Sequence, residues 1–212
     1  MKTLVLVSGV SAALMLAGCA SSGLSYTAPQ THSAATTKTI SKSRDAVWAS
    51  AVPALGKDFF VINNMDKASG LINVSYSGDP HDFVDCGHVT GFFENARGRQ
   101  DYSFDGSVKD TAYTQYKNPL LINIRRQMNL DGRVNIIFES VTANETRVTV
   151  NARYVVQRHV AARASNGMAD GVNDNVAFSS GGRGAFSNVG SNIQTECVPT
   201  GKLERDILSL IQ

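Results

Sequence analysis

Apolar positions along this chain fall into two runs at helical spacing and several that alternate with polar residues. Val47, Trp48, Ala51, Val52 and Leu55 recur at the helical period, which predicts a helix over 44–55. Ser41 or Ser43 would open it and Gly56 would close it, while Pro53 should bend or shorten the last turn. Leu203, Ile207, Leu208, Leu210 and Ile211 mark a second helix, opened by Pro199-Thr200. A short strand begins near Thr36, ahead of the first helix, and between the two helices alternation over 59–62 and 71–76 around the turn residues 66–70 predicts a hairpin. Residues 120–130, 133–140 and 147–160 read as an antiparallel meander, turned first at Asp131-Gly132 and again at 142–145. The order predicts an α+β fold, an antiparallel sheet packed on one face by an N-terminal and a C-terminal helix.

The first apolar run has a different meaning. Lys2 is followed by an apolar stretch from Leu4 to Leu16, too short for the roughly 20 residues a membrane-spanning helix needs. It reads as an export signal. Its ending, Leu16-Ala17-Gly18-Cys19, resembles the bacterial lipoprotein signal, which implies cleavage before Cys19 and acylation of its thiol. Two or three acyl chains anchor stably, since each buried CH₂ contributes about 0.8 kcal/mol. Residues 20–35 are rich in Ser, Thr, Ala and Gly without an apolar period. The expected layout is therefore a signal over 1–18, a flexible tether over 19–35, and a single α+β domain over 36–212.

Two parts of that domain lack a clear period. Residues 78–117 form an irregular excursion. Residues 164–192 are rich in Gly, Ser and Asn, and read either as disorder or as a small hairpin arm, 176–180 against 185–189, around Gly181-Gly182-Arg183-Gly184.

Charge narrows the partners. The chain carries 20 Lys and Arg against 18 Asp and Glu, a net +2, and charged residues are only 18% of it. No field of that size draws in nucleic acid. Of three cysteines, Cys19 is assigned to the anchor, which leaves Cys86 and Cys197 as an even pair in an oxidising compartment. A disulfide between them is expected.

The lipoprotein signal, the Ser/Thr-rich tether, the element order and the closing run from Cys197 to Glu204 resemble Gram-negative lipoproteins with a BamC-like domain. The resemblance implies a helix-grip-like layout. It also implies an outer-membrane, lipid-anchored location on the periplasmic face, since Ala20 rather than aspartate follows Cys19.

Reactive side chains concentrate in residues 79–88, with two histidines, three aspartates and a thiol. His81, Cys86 and His88 are ligand types for zinc or copper, but their spacing matches no standard metal motif and an oxidised Cys86 cannot ligate. No metal and no cofactor are therefore expected. No Gly-x-Ser-x-Gly elbow occurs, and no phosphate-cradling loop. Arg97, Arg99, Tyr102, Tyr113 and Tyr116 combine arginine with tyrosine, as protein interfaces do, and make 87–117 the expected contact surface.

The leading expectation is a non-catalytic lipoprotein that binds or scaffolds other envelope proteins. One alternative is a small-ligand binder with an apolar pocket beneath the C-terminal helix. The other is a periplasmic metal-dependent or hydrolytic enzyme using His81, Asp85 and His88.

Overall fold

The structure, a computed structural model, describes residues 20–33, 35–58, 60–187 and 194–212. The signal segment and Cys19 lie outside the described residues, as do Phe59 and Ile193. The elements are β1 (Ser21–Thr27), β2 (Thr37–Ile40), α1 (Arg44–Lys57), β3 (Val61–Asp66), β4 (Leu71–Gly78) and β5 (Val84–Asp85). There follow β6 (His88–Asn95), β7 (Gly98–Asp105), β8 (Asp110–Lys117), β9 (Leu120–Thr142) and β10 (Glu145–Ala164). The chain closes with β11 (Ala169–Ser179), β12 (Gly184–Ala185), β13 (Glu196–Pro199) and α2 (Lys202–Leu210).

The α+β expectation is overturned: strands make up 60% of the described residues and helices 12%, in three sheets, so the class is β-rich. Most of the extra strand comes from segments that looked irregular. Residues 21–27 are no free tether but a strand paired antiparallel with β6 from Ser21↔Glu94 to Thr27↔His88. The excursion over 78–117 holds β6, β7 and β8. The Gly/Ser-rich segment supplies β11, which pairs with β10 from Arg153↔Ser179 to Arg163↔Ala169, and β12, which pairs with β13 rather than closing a hairpin arm.

One long hairpin organises the rest. β9 and β10 pair from Glu145↔Thr142 to Ala164↔Ile122, and the chain runs straight through Asp131-Gly132. No turn forms there because β4 and β10 flank that dipeptide on both sides, with Gly132 opposite Tyr76 and Tyr154. Asp131 accepts hydrogen bonds from Ser77 Oγ at 2.8 Å and Gln157 Nε2 at 2.7 Å. A Cβ on Gly132 would stand 3.5 Å from Leu203 of α2, an ordinary van der Waals contact. Even-numbered residues of both strands face one way, Met128, Leu130, Val134, Ile136 and Phe138 on β9, and Val148, Val150, Tyr154 and Val156 on β10.

At one end of this hairpin, the strands run β3-β4-β9-β10-β2 and both helices cover the apolar face. α1 runs four residues beyond Pro53 and buries Val47, Ala51 and Leu55, with Trp48 edge-on to Phe138 at 5.3 Å. α2 buries Leu203, Ile207 and Leu208, and Ile211 beyond it is also fully buried. Lys38 Nζ reaches the carbonyls of Leu208 and Ile211, a cation on the C-terminal end of the helix. The space beneath α2, where the ligand-binding alternative expected an apolar pocket, is therefore filled with side chains.

Glu204, 1% exposed in the first turn of α2, is the polar tie of this half. The Tyr154 hydroxyl donates to its Oε2 at 2.8 Å and Ser180 Oγ to its Oε1 at 2.7 Å. Burial beside that carboxylate drives the Tyr154 hydroxyl far above its ordinary pKa, so it stays a donor. Tyr154→Phe leaves one carboxylate oxygen without its donor and is expected to cost about 1–3 kcal/mol, read by thermal unfolding. A loss below about 0.5 kcal/mol would show that solvent replaces the hydroxyl there.

Cys86 and Cys197 form a disulfide, as the cysteine count predicts, at a sequence separation of 111 and both fully buried. It fastens the junction where β13 pairs with β5 and β12.

Candidate functional site

At its other end the long hairpin keeps its even-numbered face but loses the helices. The strands there run β8-β9-β10-β11. Their inner face is met by the three-stranded sheet β1-β6-β7. Ser22 Oγ bonds both the carbonyl and the N–H of Tyr116 on β8, and Tyr26 Oη bonds both the N–H and the carbonyl of Glu196 on β13. β1 thus spans from one wall to the other. The two sheets do not close on each other, and a cleft of about 470 Å³ remains between them.

Aliphatic and aromatic side chains line most of it, among them Leu24, Val89, Tyr113, Ile122, Ile124 and Val160. Exposure grades along it. Arg126 and Arg158 at the inner end are 6% and 8% exposed, whereas Met168 at the outer end is 67% exposed. Lys117, Leu120, Ala164 and Met168 form the mouth, and the two arginines form the floor.

The arginines are not equivalent. Arg158 is fully paired: Nε and Nη2 bond the Asp174 carboxylate at 2.9 and 2.6 Å, Nη2 bonds the Ser187 carbonyl at 2.8 Å, and the guanidinium stacks over Phe186. Arg126 has one neutral acceptor, the Asp105 carbonyl at 3.2 Å from Nη2, and lies 5.0 Å over the Phe104 ring. Its Nε is buried without any hydrogen-bond partner, and no carboxylate pairs with it among the described residues. Burial depresses its pKa from 12.5 to about 10. The Tyr113 hydroxyl, raised by the same burial, is held neutral nearby.

Neither arginine was marked as a site residue by its sequence neighbourhood. The signal lay in parity: Arg126 falls in the series Ile122, Ile124, Met128, Leu130, and Arg158 in the series Tyr154, Val156, Val160. A charge in phase with inward-facing apolar residues is an inward-facing charge.

The residues expected to form a contact surface are split. Tyr102 and Tyr113 pack on each other at 5.2 Å with Phe104 beside them, joining the two sheets rather than facing a partner. Burial raises the Tyr102 hydroxyl to about 12. Tyr116 donates to Asn118 Oδ1 at the β8–β9 turn. Arg97 and Arg99 lie exposed at the β6–β7 hairpin, Arg99 paired with Asp101 and stacked over Phe92.

The reactive cluster is also dispersed. Cys86 is in the disulfide and Asp85 faces His32 at 3.8 Å, away from a shared site with His88. His88 instead bonds Asp105 through Nδ1 at 2.8 Å and Ser103 through Nε2 at 2.7 Å, with His81 4.0 Å from the same aspartate. Ser103, His88 and Asp105 have the bond order of an acyl-transfer triad, but they sit on an open strand face, each substantially exposed. Acyl transfer needs donors aimed at the developing oxyanion in a site that excludes water, and none of the three lines the cleft.

A second, wider depression lies on the opposite face of β9, β10 and β11, lined by amides such as Gln127, Asn129, Gln157 and Asn175. Several of these polar groups bond neighbours on the same sheet, Gln157 with Asp131 and Gln127 with Asp110. The cleft is thus the concavity with apolar walls and an unpaired charge.

Compared with known protein families, with characterised proteins and with solved structures, the chain matches none.

Proposed function

We infer that this chain is a non-catalytic, lipid-anchored envelope lipoprotein that holds an apolar ligand between its two sheets. The observation that carries this reading is the apolar face of the long hairpin, packed by helices at one end and left open over a 470 Å³ cleft at the other. Binding cavities of about 300–1,000 Å³ with mostly apolar walls and few polar groups are of the kind that enclose small molecules. Ligand binding is favoured over scaffolding because Tyr102 and Tyr113 are spent on internal packing.

The anchor expected at Cys19 suits such a role. β1 starts at Ser21, and two residues of chain span at most about 8 Å. Ser22 is bonded to Tyr116, next to Lys117 at the mouth. Acyl chains on Cys19 would therefore hold the mouth at the membrane surface, where apolar ligands are concentrated. No helix among the described residues is long and apolar enough to cross a membrane.

Binding of the neutral dye N-phenylnaphthylamine to the chain carrying Cys19→Ser tests the cleft without the anchor. Ala162, a half-buried wall residue, can be enlarged to fill the space. Ala162→Trp is expected to weaken dye binding by about tenfold or more, the effect of displacing one buried apolar group. Undiminished binding in a folded variant would place the dye elsewhere and remove the basis for the reading.

A further inference from the structure

The floor of the cleft says more about the ligand than its walls do. An arginine side chain is costly to bury without an anion, and evolution or chance normally leaves it a carboxylate, as Asp174 does for Arg158. Arg126 is 94% buried, holds only the Asp105 carbonyl and the Phe104 ring, and keeps Nε unpartnered at the closed end of an apolar cleft. A guanidinium offers five donors in a planar fork that matches two oxygens of a carboxylate or phosphate. Tyr113 lines the same cleft beside Arg126. From that floor outward the walls are aliphatic, through Ile124, Ile122 and Ala164 to Met168.

We propose that the ligand is an anionic single-chain amphiphile, bound head inward, with its carboxylate or phosphate on Arg126 and its chain running to the mouth. The proposal rests on the cleft being a ligand site. It adds the orientation and the charge. A head-outward arrangement would leave Arg126 uncompensated and place the head beside Asp170 as well as Lys117, the charged residues of the outer end.

The test uses the Cys19→Ser chain and three probes of equal chain length: laurate, lauryl phosphate and lauryl alcohol, each displacing N-phenylnaphthylamine. At least one anion is expected to bind about 10–100-fold more tightly than the alcohol, the worth of charge-assisted hydrogen bonds. Which anion wins distinguishes a carboxylate head from a phosphate one. Arg126→Gln is expected to erase that preference while the alcohol and the dye still bind, and Arg126→Lys to keep a part of it. Equal affinity for anions and alcohol, or a preference that survives Arg126→Gln, would overturn the head-inward assignment while leaving the cleft as an apolar site. Failure of every probe, the dye included, would instead strike at the cleft reading itself.

Discussion

Replacing Cys86 and Cys197 together by serine is expected to lower the stability of the folded chain by about 4–5 kcal/mol. The two residues close a loop of 111 positions, and on the chain-entropy view a cross-link of that span removes about that much freedom from the unfolded state. The loop contains β6 through β12, which is every strand of the cleft half except β1 and β13. Both sulfurs are fully buried, so the serine hydroxyls add a desolvation cost. The neighbourhood has little slack: a Cβ on Gly106 would lie 2.0 Å from the Cys86 carbonyl oxygen. For a domain of this size each kcal/mol moves the midpoint by about 2–4 °C, so a fall of about 10–20 °C is expected. Thermal unfolding with and without reductant checks it, because the reduced native sequence should melt close to the double variant. A double variant that melts with the oxidised protein would show that β5, β12 and β13 hold their junction without the bridge.

Much of the molecule was legible in local pattern, and the failures share one physical cause. The helix from Arg44, the hairpin β3–β4 and the C-terminal helix carry a clear helical period or an alternation bounded by turn residues, so local pattern suffices. β1, β8 and β11 pair with β6, β9 and β10, and their polar or Gly-rich sequences become strands because an adjacent edge accepts their backbone. That is tertiary context overriding propensity. Asp131-Gly132 is the same effect in reverse, a strong turn signal cancelled by strands on both sides. With β9 and β10 broken into a meander, no cleft could be foreseen, because the cleft exists only where the unbroken hairpin outruns the helices. The disulfide needed no such context, since two cysteines left in an oxidising space have one partner each.

Arg126→Met should make the empty protein more stable, not less. With the Arg126 pKa depressed from 12.5 to about 10, the folded state holds that proton less firmly than the unfolded chain does. For a cation the sign follows directly. The penalty is present in full below pH 10 and is relieved only as pH rises between about 10 and 12.5. A shift of that size corresponds to about 3 kcal/mol, and methionine fills a similar volume without the charge. Lost contacts to Phe104 and the Asp105 carbonyl offset a part, which leaves an expected gain of about 1–3 kcal/mol and a midpoint higher by several degrees. Calorimetry at neutral pH measures it on the Cys19→Ser background. A saturating anionic amphiphile should then raise the midpoint of the native arginine form by more than that of the methionine form, which keeps only the apolar part of the binding. The opposite result, a methionine variant that unfolds at lower temperature, would make Arg126 a structural cation stabilised by Phe104 and the Asp105 carbonyl, with no need of an anion from outside. A site that lowers the stability of its own fold in the unliganded state is what selection for binding leaves behind, and selection for packing alone would have placed an apolar residue between Ile124 and Met128.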